Sequence, residues 1–153
     1  MEITTAKIAN SSPVELVVIS YEVILEDIDK NIRYVEEGID INLNKAKNFI
    51  RDLKKALDMN YDVSKNLRVI YTYVNELLIV SEITSDKERK LQKLNDAKKI
   101  MNILYVAWKK ISDEETVKET SMDNIDVIYA GLTYGKTGLN ETVLGKTNKG
   151  FKA

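Results

Sequence analysis

The chain has 153 residues, about the size of one domain, with 23 basic and 24 acidic side chains, a net charge of -1, and neither cysteine nor histidine. Such a balance offers no net field to nucleic acid or to an anionic membrane. The two missing residue types exclude disulfides, thiolate nucleophiles, zinc-thiolate sites and every Ser-His or Cys-His arrangement, so a non-enzymatic protein without a metal or cofactor is expected.

The N-terminus, MEITTAKIAN, lacks the basic and apolar tracts of a secretory signal. The apolar run Val14 to Leu25 is too short to span a bilayer and contains Glu15 and Glu22, so a cytoplasmic location without membrane insertion is expected. The only proline is Pro13, and five of the six glycines lie between residues 131 and 150, which leaves Gly38 as the one strong breaker in the first 112 residues. Long helices follow from that layout. Ser12-Pro13-Val14-Glu15 has the form of a capping box with proline at the first helical position, where its missing amide costs nothing.

From there Val14, Val18, Tyr21, Leu25, Ile28, Ile32 and Val35 repeat at spacings of four and three, the stripe of a helix facing a bundle core, and Gly38 ends it. A second and shortest helix is predicted to begin near Asn42, with Ala46, Phe49, Ile50, Leu53 and Leu57 inward, before the polar turn Asp58 to Asp62. The third carries Val63, Leu67, Ile70, Val74, Leu77 and Ser81. Ser85-Asp86-Lys87-Glu88 repeats the capping-box pattern and opens a fourth helix with Leu91, Leu94, Ala97, Met101, Leu104, Trp108 and Ile111 inward. Four helices joined by short connections predict an all-α, antiparallel four-helix bundle over residues 1–112. Residues 113–153 are polar, then glycine-bearing, and read as an extended tail. Tyr129, Leu132, Tyr134, Leu139 and Leu144 are more apolar than a plain linker needs, so a tail folding back on the bundle stands as the alternative.

No catalytic constellation accompanies this fold. Without histidine the carboxylate-histidine metal sites of bundles cannot be built. Glu36-Glu37 and Glu114-Glu115 read as solvated charges, and Gly135-Lys136-Thr137 lacks the earlier glycine of a phosphate loop, Ala130 standing in its place. A small positive patch at Lys87, Arg89, Lys90 and Lys93, partly balanced by Glu88 and Asp96, is the one cue toward nucleic acid.

The informative feature is an apolar surplus. Leu16, Ile19 and Val23 fall on the side of the first helix opposite its core stripe, and Val69, Tyr73 and Val80 form a second stripe on the third. Either the first helix is central and surrounded by its neighbours, or these six side chains form a surface for a partner. A structural bundle that homodimerises through the second stripe is the alternative to a chaperone-like binding surface.

The motifs resemble one family. Thr4-Thr5-Ala6, then Ser11-Ser12-Pro13-Val14-Glu15-Leu16 and Tyr21, are similar to the N-terminal pattern of the flagellar secretion chaperones called FliS. Ala46-Lys47 with Ile50 and Leu53, Asn66-Leu67 with Tyr71-Thr72-Tyr73 and Leu77, and Ala107-Trp108-Lys109 follow in the family's order. The resemblance covers roughly residues 4–112. It implies a cytoplasmic export chaperone that binds the C-terminal region of flagellin, prevents premature polymerisation and assists delivery to the flagellar export apparatus, without ATP or metal.

Overall fold

A computed structural model describes residues 11–117, which form four helices: α1 (Pro13–Glu37), α2 (Asn44–Ala56), α3 (Asp62–Ile83) and α4 (Lys87–Val117). The expected tail therefore begins inside α4, and the rest of it, with the Thr4-Thr5-Ala6 motif, lies outside the described residues. Each helix packs on its sequence neighbours, and α4 closes the ring against α1. Ser12 with Glu115, Glu22 with Tyr105 and Asp29 with Lys98 hold α1 and α4 in one antiparallel register. The fold is the expected all-α four-helix bundle.

Local chemistry sets the helix ends. Ser12 is extended, and its hydroxyl accepts the Glu15 amide at 3.2 Å while donating to the Glu115 carboxylate at 2.8 Å. One side chain thus caps α1 and ties it to the far end of α4. Gly38 adopts φ 75°, donates its amide to the Val35 carbonyl and lets Ile39 reach the Tyr34 carbonyl at 2.8 Å, the Schellman closure that favours glycine. At α4 the capping residue is Asp86, whose carboxylate accepts the Arg89 amide at 3.1 Å, one position later than the Ser85 box implies. α4 also runs on to Val117 rather than stopping near Ile111. No glycine or proline interrupts it, Ser112 is buried, Lys109 and Asp113 pair at 3.1 Å one turn apart, and Glu115 is held by Ser12. Glu115 is thus a structural acceptor rather than a purely solvated charge.

The start of α2 is capped by other helices. Asp27 of α1 accepts the Ala46 amide at 2.9 Å, and Glu82 of α3 accepts the Leu43 amide at 3.1 Å and pairs with Lys47. Asn31 exchanges two hydrogen bonds with the Asn42 backbone. Two carboxylates thus converge on amides that a helix N-terminus cannot satisfy itself. Burial pushes the Asp27 carboxyl above its ordinary 3.8, with the Ala46 amide pulling the other way.

The expected core stripes lie inward. At the centre, Tyr21 packs edge-on against Tyr71 and against Trp108, each at 6.4 Å between ring centroids, and the two tyrosine hydroxyls share a 2.7 Å hydrogen bond. Each such aromatic combines a large apolar contribution with a satisfied polar tip.

Candidate functional site

The six side chains singled out for partner binding do not form one surface. Leu16, Ile19 and Val23 are buried, Ile19 to 4% exposure, and Leu16 and Val23 belong to the contiguous core. Of the two sequence readings, the open partner face is not what these three form, because burial removes them from solvent. One turn beyond Val23 stands Asp27, the residue that holds the Ala46 amide of α2. α1 packs on both α2 and α4, and its Tyr21 meets Tyr71 of α3 and Trp108 of α4, so more than one of its faces is covered within the bundle.

The α3 stripe has a different fate. Val69 is 69% exposed and Tyr73 is 50% exposed, while Val80 is half-buried. Val69 and Tyr73 join Ile70 of α3 and Ile100, Ile103 and Leu104 of α4 in an open, apolar groove of about 390 Å³. Ile103 is 62% exposed, and Val106 beside it is also open to solvent. Isolated apolar residues on a surface are ordinary, but a contiguous patch on two adjacent helices is the mark of an interaction site.

Sequence reasoning placed Ile70 and Leu104 in the core stripes and did not single out Ile100 or Ile103. The missed signal is a surplus on α4 like that on α3: Ile100, Ile103 and Val106 recur at intervals of three beside the Leu94, Met101 and Trp108 core stripe. On the side of α4 that meets α1, away from the groove, the Tyr105 hydroxyl lies 3.5 Å from Glu22, and desolvation followed by the Glu22 charge raises its pKa.

The chemistry of the groove is burial. It offers apolar walls with no nucleophile, and among the described residues no group of three or more His, Cys, Asp or Glu side chains is placed to hold a metal ion. No described helix is long and apolar enough to cross a membrane. A groove between two antiparallel helices, open along its length and lined by Val, Ile, Leu and Tyr, suits an amphipathic segment laid into it. Fold and groove together define a helical-bundle binding protein.

Comparison with protein families matches residues 3–115 to the family described as Flagellar protein FliS. The chain belongs to that family, whose members are chaperones of flagellar assembly and, in general, of flagellin export. Searches of the curated proteins and of the solved structures find no significant match.

Proposed function

We propose that this chain is a non-enzymatic, cytoplasmic flagellin chaperone that binds the C-terminal segment of flagellin with Val69, Tyr73 and Ile103 at the centre of the contact and Val80 extending it. The observation that carries this reading is the apolar groove between α3 and α4 in a chain of the FliS family. A client segment that is amphipathic and unfolded before assembly gains its ordered structure on the chaperone, and covering its apolar side prevents self-association. Ordering such a segment costs free energy, so tight binding requires contacts beyond this groove, as a wrapped client would make. Delivery to components of the export apparatus belongs to the same reading.

Calorimetric titration of the full chain with the C-terminal peptide of its cognate flagellin tests the proposal. Saturable heat at micromolar peptide, lost in Tyr73→Asp and Ile103→Asp, is the expected result. No heat at tens of micromolar peptide, or equal affinity in both variants, overturns it. Light scattering on the free chain addresses the homodimer alternative, because a stable dimer dissociated by Tyr73→Asp identifies the groove as a self-interface.

A further inference from the structure

We infer that residues 119–132 of this same chain dock in the α3–α4 groove, so that the binding surface is occupied by an internal competitor when no partner is present. Three observations converge on that segment.

The first is reach. α4 ends at Val117, and Ile103 lies about 21 Å back along its axis. Residues 118–132, when extended, span about 50 Å, so the chain has ample length to reverse and run back over the groove.

The second is apolar spacing. Ile125, Ile128, Tyr129 and Leu132 stand at i, i+3, i+4 and i+7, the anchor pattern by which an amphipathic segment fills a helical groove. The walls that would receive them are Val69, Tyr73, Ile100 and Ile103.

The third is charge order. Helical spacing places Lys110 one turn beyond Val106 on α4 and Lys65 one turn before Val69 on α3; both lysines are exposed, and Lys65 has the Asp62 carboxylate 3.8 Å away. They stand at the end of the groove nearer Val117. A chain returning from Val117 brings Glu119 and Asp123 past those lysines before the anchors Ile125, Ile128, Tyr129 and Leu132 arrive, with Asp126 among the anchors and Lys118 the one cation in residues 118–132. Acidic residues thus meet basic ones and apolar residues meet apolar walls, in the order in which the chain leaves α4.

A segment that fills the groove part of the time lowers apparent affinity for any other occupant by the fraction of chains left open. Occupancy of nine chains in ten weakens partner binding about tenfold. The groove is then protected from non-specific contacts, and only a partner that binds more tightly displaces the segment.

The absence of cysteine makes a direct test available, because an introduced pair is unambiguous. Lys99→Cys and Ala130→Cys are combined in the full chain, and Lys55→Cys with Ala130→Cys serves as control, Lys55 being exposed on α2, which packs on α1 and α3. Mild oxidation followed by mass analysis is expected to close the Lys99→Cys pair within one chain at several times the control yield, and Ile128→Asp is expected to abolish the difference. Equal yields in both pairs, no disulfide, or disulfides only between chains overturn the inference, the last by making a second copy the occupant. This readout needs no flagellin and so fails or succeeds independently of the proposed function. Where the flagellin peptide does bind, Ile128→Asp is expected to tighten it about tenfold, and unchanged or weaker affinity counts against competition for the groove.

Discussion

Leu16, Ile19 and Val23 on α1 and Val69, Tyr73 and Val80 on α3 are stripes of similar composition and spacing, yet the first is buried and the second is largely open. The difference lies in the neighbours. The α1 stripe lies on the helix that packs on both α2 and α4, and Asp27, one turn beyond Val23, holds the first turn of α2. The α3 stripe stands at the outer edge of the α3–α4 contact, and Ile103 widens it into a groove instead of closing it. An apolar stripe is therefore a demand for a partner, and only the packing shows whether that partner is internal. In this bundle the α1 demand is met by burial and the α3 demand is left for a binding segment.

Substitutions on the two stripes should separate sharply. Ile19→Asp places an unpaired charge in a buried position and should cost at least about 3 kcal/mol, visible as loss of the cooperative helical transition in urea. A variant that keeps wild-type stability would return Ile19 to the list of surface residues. Leu16→Ala is the milder form, with an expected loss of about 2–5 kcal/mol from the cavity and the lost burial.

Asp27→Ala tests whether α2 is fastened to α1 by the carboxylate, since it leaves the Ala46 amide without that acceptor, at a cost of about 1–3 kcal/mol. Its pH dependence has a definite sign. The folded carboxyl is raised above 3.8, so the folded chain takes up this proton more readily than the unfolded one. Stability contributed by this group therefore falls as pH rises from 3.8 through the raised folded value. Across that window the wild-type stability minus that of Asp27→Asn should decline with rising pH in urea melts, and a flat or rising difference would remove the buried charge from the account.

Gly38→Ala should cost about 1 kcal/mol, because the left-handed backbone is strained for alanine although nothing lies within 4 Å of the added methyl. The smallest effect on folding is expected on the open stripe. Tyr73→Asp should change stability by no more than about 0.5 kcal/mol while weakening the flagellin peptide at least about tenfold. A large loss of stability there would mean that both stripes serve the fold.

Much of the fold was legible because local rules and tertiary packing agree. The Ser12 box, the Gly38 stop and the four inward stripes each follow from spacing and capping, and the structure places them as expected. Disagreement came where long-range contacts act. Asp86 rather than Ser85 caps α4, α4 continues past Ile111 with Glu115 held by Ser12, and the start of α2 relies on carboxylates from α1 and α3. A reading confined to neighbours in sequence has no access to these partners. The candidate site was legible only in part: Val69 and Tyr73 stand open on the groove, Ile103 carried no mark in the sequence reading, and Leu16, Ile19 and Val23, read either as a partner surface or as the far side of a surrounded helix, are buried.

Periodicity, capping residues and the absence of cysteine and histidine are properties of the chain itself, and they were enough to determine an all-α bundle without thiol or imidazole chemistry and with more apolar surface than four single stripes require. Which apolar surface stays open was decided only in three dimensions. Burial depends on what lies across from a side chain: α1 has both α2 and α4 packed on it, whereas Val69 and Tyr73 border the open space that the groove encloses with α4.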